Sequence, residues 1–242
     1  MKEFEVYSSL RVPKNSKIIM RLDGRSFHSL ARDLELVKPY DENFYRVISE
    51  VCRDLFEEFS PVFIYTFSDE ISLLFDKMPF DGRIEKLNSV IASFTASSFV
   101  MHYNVQFKKP PAFDSRIIPI NGSDVVKYFR WRQDECWRNC VNSHGISYLK
   151  SKYSNTEAND IINGMNLSDI NELLFKNGIN LNDIETYKKR GMWIYRKNKK
   201  VVGFNKKENI NQTSYRSYVY TDWELPIFSE DFFKDIGVIK WV

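Results

Sequence analysis

Residues 17–24 read Lys-Ile-Ile-Met-Arg-Leu-Asp-Gly, an apolar run that ends in an aspartate and a glycine. An apolar run of this length, closed by a turn signal, predicts a buried β-strand. Asp23 then lies at the carboxyl end of the strand, and Gly24 lets the backbone approach a neighbour or a ligand closely. We therefore expect this strand to present a carboxylate at one edge of a sheet.

The elements that follow this strand predict an α+β fold. Helical spacing of apolar residues indicates a helix from the cap residue Asp41 to about Phe59. The next elements are predicted to be strands at 62–67 and 70–75, a helix over 84–103 and an edge strand over 116–120. The order β-α-β-β-α-β is that of ferredoxin-like domains.

The second half of the chain has a weaker pattern. We expect two helices, 123–151 and 168–177, and then a short strand near 193–195, a charged turn and a tail without an assigned role. The predicted organisation is a catalytic core at 1–122 with a mainly helical, basic part at 123–242 packed on it.

Charge is distributed unevenly along the chain. The net charge is +3, but residues 127–216 hold 17 Lys and Arg against 9 Asp and Glu, which leaves the remainder with an excess of five negative charges. This asymmetry suits an acidic catalytic half and a basic half that meets a polyanion, although a solvated basic face would look the same. No apolar run is long enough to span a bilayer, the first residues lack a secretion-signal pattern and the three cysteines are an odd number, so we expect a cytoplasmic protein.

The predicted topology brings two carboxylates together. The first two strands run parallel because a crossover helix joins them, so the end of the first lies on the same edge as the turn after the second. Asp23 and Asp69 occupy those two places, whereas Glu70 should point away because the next strand has begun there. Two converging carboxylates and the carbonyl of Gly24 suit a pair of Mg²⁺ ions, which prefer oxygen ligands and complete their shells with water and phosphate. Each motif alone is also typical of an ordinary solvated turn.

Three polar side chains near these carboxylates suit the phosphates of a nucleotide: Arg25, His28 and Lys38. The chain has no Walker or dinucleotide-binding glycine pattern that would bind phosphate instead. His28 alone could equally be an ordinary core or surface histidine.

Basic segments late in the chain alternate with aromatic residues. The runs at 188–190 and 196–200 flank Trp193 and Tyr195, a mixture that suits phosphate contacts and stacking on unpaired bases. The alternative is a charged hairpin whose aromatic residues pack inward. We favour RNA contact and expect it to involve Arg130, Arg132, Lys188, Lys189, Arg190 and Arg196.

Cys136, Cys140 and His144 recur every four residues and therefore share one face of a predicted helix. Three such ligands could bind zinc, but structural zinc sites usually have a fourth ligand. Buried thiols beside a polar histidine explain the same spacing, and we favour that interpretation.

Five blocks of sequence stand in a fixed order along the chain. The first is Arg-Leu-Asp-Gly-Arg-Ser-Phe-His at 21–28 with Lys-Pro at 38–39, and the second is Ser-Asp-Glu at 68–70. The later blocks are Pro-Pro-Ala-Phe-Asp-Ser-Arg at 110–116, Trp-Arg-Gln-Asp-Glu-Cys at 131–136 and Lys-Arg-Gly-Met-Trp-Ile-Tyr at 189–195. Any one block is weak evidence for a family. The five blocks in this order resemble the tRNA-His guanylyltransferase family over most of the chain.

The resemblance implies a polymerase-palm fold that extends tRNA in the 3′ to 5′ direction. The 5′ end of the tRNA is activated, by adenylylation with ATP or as an existing triphosphate, and the 3′-hydroxyl of an incoming nucleotide such as GTP attacks it. By position, Asp23, the Gly24 carbonyl and Asp69 would bind two Mg²⁺ ions, with Asp23 and Asp69 as the catalytic residues. The nucleotide would contact Asp23, Gly24, Arg25, Ser26, Phe27, His28, Lys38, Ser68 and Asp69. Family members assemble as tetramers, so the resemblance also implies a homotetramer.

One departure from the family pattern bears on the substrate. Members dedicated to tRNA-His carry His-Ile-Asn-Asn just after the Trp-Arg-Gln block, where this chain has Trp137-Arg138-Asn139-Cys140. The departure favours the guanylyltransferase-like branch, often archaeal, which repairs 5′-truncated tRNA by templated addition. Addition of the extra guanylate to tRNA-His stays open.

Two rival functions from different classes fit parts of the sequence. A nucleotide cyclase also places two metal-binding carboxylates on a β-α-β-β palm, but it needs no basic RNA surface. A tRNA-binding module without catalysis would not need Asp23 and Asp69 to be intact. The leading hypothesis is therefore a nucleotidyltransferase that acts on the 5′ end of tRNA.

Overall fold

Six β-strands form one antiparallel sheet in this computed structural model, which describes residues 1–14, 16–205 and 209–235. In chain order they are β1 (Lys17–Gly24), β2 (Phe63–Phe67), β3 (Glu70–Phe75), β4 (Phe113–Ile120), β5 (Met192–Asn205) and β6 (Ile210–Asp222). Their order across the sheet is β4-β1-β3-β2-β5-β6. The first four strands thus have the predicted ferredoxin-like order, with β4 at the edge.

Helices cover both faces of the sheet. In chain order they are α1 (Phe27–Asp33), α2 (Glu42–Phe59), α3 (Ile84–Tyr103), α4 (Gly122–Lys150), α5 (Asn155–Asn163), α6 (Leu167–Lys176), α7 (Thr186–Arg190) and α8 (Glu230–Asp235). Short 3-10 turns lie at Lys2–Phe4 and Pro79–Gly82. None of the helices in the described ranges is both long and apolar enough to cross a membrane.

Alternation along β1 assigns its residues to two cores. Met20 and its even-numbered neighbours pack with α2 and α3 in the larger core, whereas Ile19 packs with α4 and α8 in a second core on the opposite face. Because side chains alternate along a strand, Arg21 and Asp23 belong to the α4 face as well. The face of the sheet that packs against α2 and α3 is therefore apolar, and the face toward α4 carries the polar side chains at the end of β1.

The helix α2 begins where the sequence predicts. Asp41 is its N-cap, and its Oδ1 accepts a hydrogen bond from the Phe44 N–H at 2.9 Å. The same carboxylate accepts a bond from the Val37 N–H through Oδ2 at 3.1 Å, so Asp41 also fixes the loop that precedes the helix. This cap sets the position of the chain between α1 and α2.

The directions of the strands confirm the predicted convergence of Asp23 and Asp69. Both β1 and β2 are antiparallel to β3, so they run in the same direction. Asp23 pairs with Glu70 across β1 and β3, which places Asp69 directly beside the carboxyl end of β1.

The predicted strand near 193–195 is confirmed, but the charged turn predicted after it is wrong. These residues lie inside β5, which pairs with β6 from Trp193 opposite Asp222 to Asn205 opposite Ile210. The outer part of this ribbon is exposed, so polar residues replace the alternation that marks a half-buried strand. The start of β5 joins β2, where Gly191 (φ 80°) approaches so closely that a Cβ would lie 2.7 Å from the Thr66 carbonyl oxygen. The basic part therefore completes the sheet as well as packing on it.

The tail without an assigned role has a structural one. Leu225, Phe228 and Phe233 are buried in the second core, where Phe228 lies with its ring centroid 5.2 Å from that of Tyr65. The last residues of this tail, 236–242, lie outside the described ranges.

Candidate active site

Asp23 and Asp69 meet at the turn between β2 and β3. Ser68 takes a left-handed conformation there (φ 50°), and its hydroxyl donates a hydrogen bond to Asp69 Oδ1 at 3.0 Å. Gly24 lies against this turn: a Cβ at its position would be 2.8 Å from Asp69 Oδ2 and 2.4 Å from Phe27 Cδ2. A residue larger than glycine would thus displace the carboxylate or the aromatic ring.

The carboxylate pair is electrostatically uncompensated. Burial, and then the negative charge of Asp23, raise the pKa of Asp69 from its ordinary value of 3.8 to about 6. Within the described ranges, no Lys, Arg or His side chain forms an ion pair with Asp23 or Asp69. A bound cation would relieve this repulsion and restore the ionised form of Asp69.

Glu70 is engaged elsewhere. Arg132 of α4 donates to both of its oxygens, from Nε to Oε1 and from Nη2 to Oε2, each at 2.8 Å. Both side chains are buried, so the pair is a bidentate internal ion pair. Arg132 thus neutralises the charge of Glu70. The ion pair supports the prediction that Glu70 is not a main metal ligand.

The donor set fits hard divalent cations. Asp23, Asp69 and the Gly24 carbonyl are all oxygen donors, as Mg²⁺ prefers. Among the described residues no group of three or more His, Cys, Asp or Glu side chains is placed to hold a metal ion. Two carboxylates and a carbonyl leave room for waters and substrate phosphates, which is how Mg²⁺ is usually held in phosphoryl-transfer sites.

A cavity of about 310 Å³ opens beside Asp69. This volume lies within the range of small-molecule sites. The lining contains the following residues predicted to contact a nucleotide: Phe27, His28, Lys38, Ser68 and Asp69. The lining thus combines the carboxylate of Asp69 with the side chains of His28 and Lys38.

The other predicted nucleotide contacts lie next to the cavity rather than in its lining. Arg25 and Ser26 are exposed and form the turn that leads from β1 to α1. The Arg25 N–H donates to the Ala112 carbonyl at 2.8 Å, which ties this turn to the start of β4. Phe27 is mostly a core residue, since its ring centroid is 4.9 Å from that of Phe113.

Several residues of the cavity wall are not among the predicted nucleotide contacts; of these, Lys188 was predicted to bind RNA. The helix α4 contributes Cys136, Asn139 and Ser143, whose spacing places them on one helical face. Lys188 also lines the cavity, and its Nζ donates to Glu185 Oε1 at 2.9 Å. The spacing of these residues in the sequence predicts that they share one face of α4. Which part of the protein this face packs against depends on the tertiary fold.

Some of the basic residues predicted to bind RNA hold the fold together. Lys189 Nζ donates to the Asn182 carbonyl at 2.6 Å, and Arg190 Nη1 donates to the Leu225 carbonyl at 3.0 Å. Together with Arg132, these residues have internal partners, so their main contacts are structural. Trp193 is only 1% exposed, so it packs inward as in the alternative interpretation.

Arg130 and Arg196 keep exposed side chains. Arg130 Nε donates to Asp134 at 3.2 Å and Nη1 to the Phe228 carbonyl at 3.2 Å, with the side chain 45% exposed. Arg196 lies over the ring of Phe56, with Cζ 5.4 Å from the centroid. Both therefore stay available for a contact with RNA.

The two cysteines of α4 are buried thiols. Burial raises the pKa of Cys136 well above its ordinary range and that of Cys140 to about 11, so both stay protonated. His144 Nδ1 lies 2.9 Å from the Cys140 carbonyl oxygen and 3.8 Å from its Sγ. These contacts support the buried-thiol interpretation.

Comparisons with known proteins identify the family of the chain. A family model described as tRNAHis guanylyltransferase matches residues 1–121, and one described as Thg1 C terminal domain matches residues 123–224. The tRNA(His) guanylyltransferase of Schizosaccharomyces pombe is 30% identical over 196 residues, which cover 76% of this chain and 75% of that protein. The probable tRNA(His) guanylyltransferase of Drosophila melanogaster is 31% identical over 210 residues, 81% of this chain and 72% of that protein.

Solved structures are similar over the whole chain. A bacterial tRNA(His) guanylyltransferase (Thg1)-like protein in complex with GTP has a TM-score of 0.75 and 26% identity, with 100% of this chain and 97% of that chain covered. A bacterial protein of the same description in complex with ATP has a TM-score of 0.78 and 26% identity, with 99% and 96% covered. The sequence blocks, the palm-like sheet with its carboxylate pair and these matches show that the chain belongs to the tRNA-His guanylyltransferase family of nucleotidyltransferases.

Proposed function

We propose that this protein adds nucleotides to the 5′ end of tRNA in the 3′ to 5′ direction, under the control of a template. The observation that supports it most directly is the pair of carboxylates Asp23 and Asp69 next to Gly24, with Asp69 in the lining of a cavity of about 310 Å³. Membership of the tRNA-His guanylyltransferase family supports tRNA as the substrate, and the resemblance to that family implies the 3′ to 5′ direction.

The proposed roles of the residues follow from their places around the cavity. Asp23, Asp69 and the Gly24 carbonyl would hold two Mg²⁺ ions, which supply charge neutralisation and Lewis acidity when bound. Lys38 and His28 line the cavity and would meet the triphosphate of GTP, ATP or another NTP. Ser68 orients Asp69 through its hydrogen bond.

The proposed reaction begins with an activated 5′ end, either an adenylylated phosphate or a triphosphate. The 3′-hydroxyl of the incoming nucleotide loses its proton to water as its oxygen bonds to the activated phosphorus, and the bond from that phosphorus to AMP or pyrophosphate breaks. The residues of the chain position both reactants in this step, which depends mainly on alignment and charge stabilisation.

The substrate range is the finer part of the proposal. The residues Trp137-Arg138-Asn139-Cys140, in place of His-Ile-Asn-Asn, and the likeness to bacterial proteins described as guanylyltransferase-like favour repair of 5′-truncated tRNA. We further propose a homotetramer that acts in the cytoplasm, from the resemblance to the family. Sedimentation of the purified protein tests the tetramer.

The decisive experiment uses purified protein, Mg²⁺, labelled GTP, ATP and two forms of tRNA-His. One form lacks only the extra guanylate, and the other lacks one further 5′ nucleotide opposite a template C. Asp69→Ala should abolish labelling, whereas Asp160→Ala, an exposed aspartate on α5, should leave it intact.

Each outcome separates the hypotheses. Label on the truncated tRNA supports templated repair, and label on the first form alone indicates a dedicated tRNA-His enzyme. Cyclic nucleotide formed from GTP or ATP without RNA would instead indicate a cyclase. Binding of both substrates without any product would reduce the protein to a tRNA-binding module.

A further inference from the structure

Trp131 is a large aromatic side chain that the fold leaves half exposed. It is 49% exposed, whereas Trp193 of the core is 1% exposed. It lies on α4, on the face of the sheet that also carries Asp23, and it does not line the nucleotide cavity. The roles proposed above do not use it.

Two guanidinium groups surround this indole. Arg132 places its Cζ 4.2 Å from the ring centroid, and Arg21 places its Cζ 5.9 Å from it. Tyr128 contacts the ring edge-on, at 5.8 Å between centroids and an angle of 76°. Arg132 is itself fixed by Glu70, so the indole packs against a guanidinium that is held in place while about half of the residue stays exposed.

The position of the indole relates it to the carboxylates. Arg21 and Asp23 are two residues apart on β1, so their side chains share a face and their Cα atoms are roughly 7 Å apart. Because the ring of Trp131 contacts the Arg21 guanidinium, it lies near a residue that is two positions before Asp23 on the same strand. A nucleotide whose phosphate lies at these carboxylates has its base, or that of its neighbour, within reach of the indole.

Two further arginines lie on the strands beside the indole, and each has an acidic neighbour, Glu70 for Arg21 and Asp114 for Arg116. Arg21 Nε is buried and has no hydrogen-bond partner within the described ranges. Across β1 and β4, Arg21 pairs with Arg116, whose side chain is 57% exposed and whose Nε is 3.8 Å from Asp114. A half-exposed aromatic ring flanked by arginines is the arrangement that binds single bases next to a phosphate backbone.

We propose that Trp131 is the platform on which the 5′-terminal base of the tRNA acceptor end stacks, with Arg21 and Arg116 meeting the phosphates next to it. The inference rests on the proposed function, because it assumes that the tRNA 5′ end lies at Asp23 and Asp69. The stacked base holds the acceptor end in register with the carboxylates. The residues chosen from sequence for stacking, Trp193 and Tyr195, do not offer such an exposed ring.

Binding of a short RNA hairpin that reproduces the acceptor stem tests this platform. One hairpin has a normal 5′-terminal nucleotide and the other has an abasic nucleotide at that position, and affinity is measured by fluorescence anisotropy with Mg²⁺ and without NTP. Stacking of one base on an aromatic ring predicts roughly a 5- to 100-fold weaker binding of the abasic hairpin to the wild type. Trp131→Ala should bind the normal hairpin more weakly by a similar factor, and it should bind the abasic hairpin no more weakly than the normal one. Trp131→Phe should keep most of the wild-type affinity for the normal hairpin.

Three controls make the test specific. Phe175→Ala removes an exposed aromatic residue on α6 and should keep both affinities. GTP affinity should be unchanged in Trp131→Ala, because Trp131 does not line the cavity. Light scattering reports whether Trp131→Ala changes the oligomeric state.

The outcomes decide between the inference and its alternatives. Equal binding of the two hairpins by the wild type overturns the platform whatever the variants do, and so does an abasic effect that persists in Trp131→Ala. Loss of the oligomer in Trp131→Ala with RNA affinity retained would assign the indole to contacts between copies of the chain. A wild type that shows the abasic effect but adds no nucleotide would sink the proposed function and keep the platform, and the reverse result would sink the platform alone.

Discussion

At the residue scale, the burial of Asp69 and its closeness to Asp23 cost stability that a bound metal would recover. The raised pKa of Asp69, about 6 against an ordinary 3.8, means that the folded state binds a proton more tightly than the unfolded state. The contribution of Asp69 to stability is therefore largest below about pH 4, falls as the pH rises from about 4 to 6, and stays lower above that window. A shift of this size corresponds to roughly 3 kcal/mol.

Asp69→Asn removes this cost and should therefore stabilise the metal-free protein. At pH 7.5 with a chelator, we expect a free energy of unfolding higher than that of the wild type by roughly 1–3 kcal/mol, with the gap smallest near pH 4. Urea unfolding from pH 4 to 8 measures it, with Asp160→Asn as the exposed control. Added Mg²⁺ should stabilise the wild type and not the variant. A gap that is independent of pH would contradict the electrostatic explanation.

The ion pair between Arg132 and Glu70 should behave as a unit. Arg132→Ala leaves a buried carboxylate without its partner, which we expect to lower the free energy of unfolding by roughly 3–5 kcal/mol. The double variant Glu70→Gln with Arg132→Met removes both charges and should lose much less. A double-mutant cycle of Glu70→Gln, Arg132→Met and the double variant, measured by urea unfolding, gives the coupling energy. If the effects of the two single variants simply added, the ion pair would contribute nothing as a pair.

At the scale of elements, the cap of α2 joins helix stability to the cavity. Asp41→Ala removes the bonds to the Phe44 and Val37 amides, so we expect roughly 1–2 kcal/mol less stability and weaker GTP binding, whereas Asp41→Asn should keep most of both. The matched control is Asn166→Ala at the cap of α6, which should cost similar stability without an effect on GTP affinity. Urea unfolding and a GTP titration measure the two effects. If both cap variants lowered GTP affinity equally, the loop would not be the link.

Some of the helices and strands can be predicted from the sequence and others cannot. The strands β1 to β3 and the helices α2 and α3 are predictable, because buried faces impose alternation or helical spacing. The ribbon of β5 and β6 is not, since its outer residues are exposed on both faces. Asp23 and Asp69 could be brought together by topology alone, whereas Lys188 and the α4 wall of the cavity depend on how distant elements pack.

At the scale of the whole molecule, the ribbon of β5 and β6 carries exposed positive charge. Lys199 and Arg216 are exposed and stand directly opposite each other in the register of β5 and β6. Like charges in this position repel and weaken a sheet, so they add nothing to the fold on their own. Lys189 and Arg190, in contrast, are tied to backbone carbonyls.

Joint replacement of Lys199 and Arg216 by alanine should therefore weaken tRNA binding without a loss of stability. Each phosphate contact contributes about 0.7–0.9 to the slope of log affinity against log salt, so the slope should fall by up to about 1.8. Filter binding of tRNA at 50–300 mM salt measures the slope, and Lys176→Ala on α6 is the control, because Lys176 has a local partner in Glu172. GTP affinity should stay constant, because neither residue lines the cavity. A slope equal to that of the wild type would remove the ribbon from the RNA surface and leave Arg130 and Arg196 as the exposed cations predicted from sequence.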